Sequence, residues 1–303
     1  MASTIEAGTA QGGGATGEDT RQIMAVVLSH NAPASLARCL AAIAAQTTPP
    51  EAVLVVDNAS WPPVSVAPDP TMPPVRVVRS EVNTGPAGGY SQALAEFLGS
   101  GFGHAWVLDD DMSPEPHCLE RLWAVARTQP GQAFVFPTSR QPDGSLGVWP
   151  SWCGFVLSRE IVLEVGLPMG ELFWWAEDTE YLQWRIPDAG YQRLVVEDAV
   201  VAHAAIRHGE GVPLWKYYYE ARNMLYVHLH VKRRLGRYPR SVSKLLARAL
   251  LRERDGRIRR LGVMARGLWD GFRGNLGIRF PVEPMQERPT EGVPAAPERV
   301  GQP

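Results

Sequence analysis

The chain has 303 residues, of which 45% are hydrophobic and 20% charged, with a net charge of −2; that is enough for one large core or two modest ones and ordinary for a soluble globular protein. Its three cysteines, Cys39, Cys118 and Cys153, lie far apart among apolar residues, which excludes a disulfide framework and a cysteine metal site and fits a reducing cytoplasm. No run of about 18 uninterrupted apolar residues occurs, so a membrane-spanning helix is not expected, and the Gly/Ala/Thr-rich start lacks the basic and apolar parts of a signal peptide.

Residues 1–20 read as a disordered extension. From Ile23 strands and helices alternate: a continuous apolar strand over 23–29, a helix over 35–45 and a second buried strand over 52–56. After a Pro-rich loop come a strand over 75–79, a helix over 87–98, a strand over 105–108 and a helix over 114–127. Buried strands alternating with helices predict an α/β fold with a mostly parallel sheet covered on both faces. Past Phe136 the alternation breaks into a strand over 151–157, helices over 159–165 and 177–188, and short strands over 192–196 and 199–202. A long helix follows over 214–234.

In such sheets ligands collect at the carboxyl ends of the strands. Those ends here are His30-Asn31, Asp57-Asn58, the loop from Asn83 to Gly89, and Asp109-Asp110-Asp111. Three adjacent carboxylates repel, and a fold that presents them together can neutralise them with a hard divalent cation such as Mg2+ or Mn2+; the plain alternative is an acidic helix cap. Asp57-Asn58 could read the imide edge of a nucleobase or simply make a turn. Gly85-Pro86-Ala87-Gly88-Gly89 lets a backbone approach a ligand at a helix start, but matches neither the GxGxxG fingerprint nor a Walker A loop.

Trp174-Trp175-Ala176-Glu177-Asp178 sets two large aromatics, able to stack on a sugar face, beside carboxylates able to take a hydroxyl proton. His203, at the end of an apolar strand, is a candidate third metal ligand or a structural histidine. Arg222, in the Tyr-rich stretch 217–223, could pair with a phosphate or serve a structural salt bridge.

In this order and spacing, the motifs resemble the family 2 glycosyltransferases, with a nucleotide-diphospho-sugar transferase sheet of the GT-A type. The resemblance covers about residues 23–234 and, through the Arg222-Asn223 helix, is nearest to bacterial rhamnosyl- and galactofuranosyltransferases of cell-surface polysaccharide synthesis. It implies an inverting transfer of galactofuranose or rhamnose from a UDP- or dTDP-sugar to a glycan or glycolipid acceptor, in cell wall or surface polysaccharide synthesis. It implies Asp178 as the catalytic base, and Asp109, Asp111 and His203 as ligands of Mn2+ or Mg2+. Substrate contacts would come from His30, Asn31, Asp57, Asn58, Asn83, Gly85, Gly88, Gly89, Asp109, Trp174, Trp175, Glu177 and Arg222. The Gln-x-x-Arg-Trp motif of processive synthases is missing, which points to the addition of one or a few sugars.

The domain layout expected is the extension 1–20, a catalytic domain 21–234, a basic helical segment 235–280 and a disordered tail 281–303. Between Lys232 and Arg279, 15 Lys/Arg face three acids, a local +12 that leaves −14 on the rest of the chain. With apolar Leu245, Leu246, Leu250, Leu251, Ile258, Leu261 and Trp269 interspersed, this segment is expected to lie on an anionic membrane surface at the inner face of the cell membrane, or to pack on the acidic domain or a second subunit of a homo-oligomer. A nucleic-acid-binding protein would leave the carboxylates unexplained, so no nucleic acid partner is expected. A dinucleotide oxidoreductase would need glycines after the first strand, where His30-Asn31-Ala32-Pro33 stands. A catalytically inactive carbohydrate- or nucleotide-sugar-binding relative is the remaining alternative.

Overall fold

The computed structural model describes residues 3–5, 23–129, 131–141, 143–203, 213–233, 236, 238–247, 250 and 256–280. Its strands are β1 (Ser3–Ile5), β2 (Ile23–Ser29), β3 (Ala52–Asp57), β4 (Val75–Arg79), β5 (His104–Asp109), β6 (Met112–Pro114), β7 (Ala133–Arg140), β8 (Leu146–Gly147), β9 (Cys153–Ser158) and β10 (Gln192–His203). They form one sheet in the order β1-β10-β7-β9-β5-β2-β3-β4, with β6 paired to β10 and β8 to β7. The pairs β1/β10, β10/β7, β5/β2, β2/β3 and β3/β4 are parallel; β9 runs antiparallel between β5 and β7. This is the mostly parallel α/β sheet with flanking helices that the alternation predicts.

Both faces of β2 are buried because its side chains alternate between two cores. Ala25 and Val27 pack with Leu36, Cys39, Leu40 and Ile43 of α1 (Pro33–Ala44) and with Leu119 and Leu122 of α3 (Cys118–Ala126). Met24, Val26 and Leu28 face Tyr90, Leu94 and Phe97 of α2 (Gly85–Ser100) and Ile161 and Val162 of α4 (Arg159–Val165).

Three local expectations change. The helix expected from Pro114 begins at Cys118, and Met112–Pro114 instead pairs antiparallel with β10; Pro114 and Pro116 have no N–H to give a helix, so the chain stays extended after the triplet. The helix expected over 177–188 is wound as a π-helix through Thr179–Arg185 and closes in the short α5 (Ile186–Asp188). Pro187 lacks the N–H that an α-helix would send four residues back, and the wider winding accommodates it. The two strands expected over 192–202 are one, shifted in register between Val196 and Val200, with Glu197 and Asp198 exposed at the shift.

Downstream, α6 (Leu214–Tyr226) continues into a π turn (Val227–Val231), shorter as an α-helix than the expected 214–234. It is followed by α7 (Tyr238–Ala247) and α8 (Arg257–Arg273). The expected extension and tail lie outside the described residues, apart from Ser3–Ile5, which pairs with Leu194–Val196 at the sheet edge. α8 crosses α6 so closely that a Cβ on Gly267 would sit 2.4 Å from the Tyr218 carbonyl oxygen, and one on Gly271 2.4 Å from that of Arg222. Only a glycine lets two helix backbones meet at this distance. Gly271→Ala should therefore cost about 1–3 kcal/mol of stability through forced separation of the helices. Gly262→Ala on the same helix, where an added Cβ meets nothing within 4 Å, should be neutral or stabilising by up to about 1 kcal/mol. Thermal or denaturant unfolding of the two variants checks this, and equal effects would contradict it.

Candidate active site

Strand register gathers the polar residues. Ser29 lies opposite Asp57 and Leu28 opposite Asp109, so His30, Asn58 and the acid triplet leave neighbouring strands at one edge. On the far side, pairing of His203 with Met112 brings the β10 histidine back to the triplet. His203 Nε2 stands 3.5 Å from Asp111 Oδ2. Asp109 is engaged elsewhere: its Oδ1 accepts from the Tyr90 hydroxyl, which also lies 3.1 Å from Leu108 O as a donor. Among the described residues no three His, Cys, Asp or Glu side chains are already drawn together as a metal cage.

The residues nonetheless fit a divalent cation. Asp111 Oδ1 is buried without a hydrogen-bond partner, a costly arrangement unless something electropositive meets it. Burial raises the Asp111 carboxyl, with the His203 charge opposing the shift. Burial, then the negative charge of Asp111, pushes Asp109 well above the usual carboxylate range. An oxygen-rich, charge-starved cluster with one imidazole is a donor set suited to Mn2+ or Mg2+.

The strap before the candidate base is strained. Phe173, Trp175 and Ala176 have φ of 63°, 76° and 70°, a left-handed conformation that side-chain-bearing residues rarely adopt. What holds them is the Asn223 carboxamide of α6, whose Nδ2 donates to the carbonyls of Leu172 (2.9 Å), Trp174 (2.7 Å) and Trp175 (2.7 Å). Arg222 beside it donates from Nε to Asn223 Oδ1 (2.7 Å), from Nη1 to Gly277 O (2.6 Å) and from Nη2 to Leu172 O (2.7 Å). Both side chains are fully buried. Arg222, read from sequence as a phosphate contact, is thus committed to backbone carbonyls, because burial leaves it no open face and the strap leaves it acceptors to satisfy.

The strap delivers two adjacent acids with different tasks. Asp178 Oδ1 accepts from the Thr179 backbone N–H at 2.6 Å and hydroxyl at 3.2 Å, which fixes its orientation at the start of the π-helix. Glu177 is buried and its Oε2 has no partner. Burial, then the charge of Asp178, pushes its carboxyl up to about 8, which holds a proton on it at neutral pH; burial raises Asp178 as well, against the Thr179 donors that lower it. Of the two tryptophans, Trp174 packs edge-on against Trp215, with ring centroids 4.8 Å apart. Trp175 is the more exposed of the two, at 38%.

At the other end lies an amide network. His30 Nδ1 meets Asn58 O at 2.7 Å, while its Nε2 receives Asn31 Nδ2 at 3.1 Å and Asn83 Nδ2 at 3.0 Å. Two amide donors on Nε2 require a neutral ring with its proton on Nδ1. Asn58 in turn donates to Asn83 Oδ1 (3.2 Å) and Gly85 O (3.1 Å). Asp57, expected to read a base, is fully buried and already satisfied by the backbone of Ser60 (2.8 Å) and Val64 (3.1 Å) and by Arg79. Burial works against its charge, but these donors hold its carboxyl below the usual range. Its structure-given task is to shape the loop. The glycines also serve the protein: a Cβ on Gly85, at φ +66°, would lie 2.1 Å from Phe173 O, one on Gly89 2.4 Å from Leu28 Cδ1, and one on Gly88 2.4 Å from Thr84 Cβ.

Tyr90 and Arg79 were not among the residues singled out from sequence, and Asn223 entered there only through the Arg222-Asn223 helix, with no role of its own. Arg79 was findable, since it ends β4 in register with Asp57; nothing in the local sequence marks Tyr90. The larger described cavity, about 500 Å³, runs along α2 past Thr84, Gly88 and Ser91 and contains none of the carboxylates. Chemistry, not volume, locates the site. Asn223→Ala should lower stability by about 1–3 kcal/mol by orphaning the strap carbonyls; denaturant unfolding checks this, and a stability equal to the parent's would count against the anchoring role.

Comparison with known proteins places the chain. Residues 24–184 match the family described as Glycosyl transferase family 2. The galactofuranosyltransferase GlfT1 of Mycolicibacterium smegmatis is 33% identical over 110 residues, 36% of each chain. GlfT1 of Mycobacterium tuberculosis strain H37Rv is 33% identical over 94 residues, 30% of this chain and 31% of the relative. The match thus spans about a third of the length of these relatives. Among solved structures, S. aureus TarS superposes with a TM-score of 0.57 at 15% identity, over 83% of this chain and 49% of that one. The mannosyltransferase PcManGT of Pyrobaculum calidifontis, in complex with GDP-Man and Mn2+, gives a TM-score of 0.51 at 16% identity, over 84% and 75% of the two chains. Those likenesses speak for the GT-A type of sheet; the family match covers more than half of the chain, which belongs to glycosyl transferase family 2.

Proposed function

We propose that this protein transfers a single sugar from a nucleotide-diphosphate donor to a hydroxyl of a glycan acceptor, inverting the anomeric centre. The observation that carries this reading is the oriented Asp178 carboxylate beside a buried acid cluster whose Asp111 oxygen lacks a partner. The galactofuranosyltransferase relatives favour galactofuranose over rhamnose as the sugar. The Mn2+ and GDP-Man in the mannosyltransferase structure support a donor diphosphate next to the triplet.

Asp111 and His203, with Asp109 after release from Tyr90, would hold a divalent cation that offsets charge developing on the departing nucleotide diphosphate. His30, Asn31 and Asn83 would form the edge nearest the nucleoside, with buried Asn58 spent on holding Asn83, Thr84 and Gly85 in place. Trp175, 38% exposed, would support the acceptor sugar. Asp178 takes the proton of the acceptor hydroxyl as its oxygen attacks the anomeric carbon from the face opposite the leaving group. Neutral Glu177 spares the site a second negative charge next to that base.

The exposed face of α8 supports work at a membrane. Ile258, Trp269 and Phe272 are 87%, 55% and 57% exposed, in a row flanked by Arg257, Arg259, Arg266 and Arg273. Arg273 lies 4.5 Å over the Trp269 ring. Aromatic and aliphatic side chains between arginines suit the interface of an anionic bilayer, where a glycolipid acceptor would be presented. Among the described residues no helix is long and apolar enough to cross a membrane.

Asp178→Asn should retain Mn2+-dependent UDP-sugar binding and lose transfer by roughly a hundred- to ten-thousand-fold; transfer at the parent rate would refute the base assignment. Asp111→Ala should abolish the thermal shift produced by UDP with Mn2+, and a shift unchanged by the substitution and by EDTA would refute the metal assignment. In liposome flotation, the full chain should rise with vesicles containing anionic lipid and the Trp269→Ser/Phe272→Ser variant should stay behind. Equal flotation would exclude α8 as the membrane contact.

A further inference from the structure

The two candidate metal-binding acids of the triplet have different surroundings. Along β5, Ala105 and Val107 point into the core that contains Tyr90, and Trp106 and Leu108 into the opposite one. Strand alternation therefore carries Asp109 to the Tyr90 side, where its Oδ1 accepts from the Tyr90 hydroxyl. Asp111 instead meets His203 at 3.5 Å and keeps Oδ1 without a partner. Tyr90 is firmly seated. It is fully buried, and its ring is stacked on Trp152 with centroids 4.0 Å apart and planes 14° from parallel. The Trp152 carbonyl in turn accepts the Asp109 backbone N–H at 3.0 Å. At the preceding residue, Gly89, α2 lies so close to β2 that a Cβ would stand 2.4 Å from Leu28 Cδ1.

From this geometry we infer that Tyr90 is a positioning residue that withholds Asp109 from the divalent cation. Its hydroxyl competes with the ion for the same carboxylate, so the protein offers Asp111 and His203 as ligands until the hydrogen bond to Asp109 is given up. The inference rests on the metal reading above for the place of the ion. A hydrogen bond to a charged group from a fixed, buried donor is among the stronger ones, and a ligand that must first surrender it binds the ion less tightly by that amount. Hard cations such as Mg2+ are commonly held by one or two carboxylates together with substrate phosphate oxygens. Two protein ligands therefore suffice for an ion that arrives with a diphosphate and hold a bare ion weakly. Tyr90 itself touches neither ion nor substrate in this arrangement; it acts through Asp109.

The test uses the full chain and the metal alone. Tyr90→Phe removes the hydroxyl and keeps the stacked ring. Titration with Mn2+, followed by the electron paramagnetic resonance signal of the free ion, should show binding about tenfold tighter than in the parent, the worth of one hydrogen bond to a charged group. In an Asp109→Asn background the same substitution should change Mn2+ affinity by less than about twofold, because the carboxylate whose release it eases is gone. A hydroxyl that merely supports the site would give the opposite sign: Mn2+ binding by folded Tyr90→Phe that is weaker than the parent's, or equal to it, overturns the inference and leaves the metal site standing. The parent supplies a second measurement that does not depend on the variant. With 13C at the tyrosine ζ carbon, one of its eight tyrosine signals should move as Mg2+ is added, and a tyrosine spectrum unmoved by bound Mg2+ would also overturn it. If neither parent nor variant binds either ion, with or without UDP, the metal reading itself falls and takes the role of Tyr90 with it.

Discussion

The position of the candidate base hangs on two buried neighbours of α6. Asn223 holds three carbonyls of the strap with one amide, and Arg222 ties that amide to Leu172 and to the Gly277 turn behind α8. The strap needs such an anchor, since three side-chain-bearing residues there adopt left-handed backbone at a cost of order 1–3 kcal/mol each. A buried guanidinium is itself expensive, and carbonyl acceptors with the Tyr219 ring 4.7 Å away supply what water would have given. The basic C-terminal helix enters the same arrangement, because Gly271 lets α8 rest directly on the Arg222 backbone. Stability of the last helix and orientation of the base are therefore coupled through one side-chain pair.

The second organising fact is negative charge kept out of water. Asp109, Asp111, Glu177 and Asp178 are all displaced upward by burial; the charges of Asp111 and Glu177 add to the shift at Asp109, and that of Asp178 to the shift at Glu177. Such a cluster is an incomplete electrostatic circuit. It is relieved when Glu177 retains a proton and when a cation meets Asp111. The same logic reversed applies at Asp57, where backbone N–H groups and Arg79 have already completed the circuit and leave nothing for a ligand. Two carboxylates at neighbouring strand ends thus differ in purpose because one is supplied with donors by its own loop and the other is not.

Much of the framework was legible in the chain itself. Continuous apolar runs such as 23–29 and 52–56 read as strands buried on two faces, and a triplet of acids after such a run reads as lying at the strand's carboxyl end, because a strand covered on both faces leaves no place for three charges inside. The family 2 resemblance drew on that same order of motifs. Contacts set by long-range register and by burial were not legible. His203 meets Asp111 through an antiparallel pairing across some ninety residues of chain, and neither residue's neighbours announce it. Arg222 looked like a phosphate ligand because a sequence shows that a charge exists, not whether carbonyls have already claimed it. Asn223, which the sequence marks only as the partner of Arg222 in a helix, is the anchor because the carbonyls of Leu172, Trp174 and Trp175 converge on it. Local pattern specifies which elements form and where their polar ends lie; which of those polar groups remain available for chemistry depends on what the packed neighbours consume.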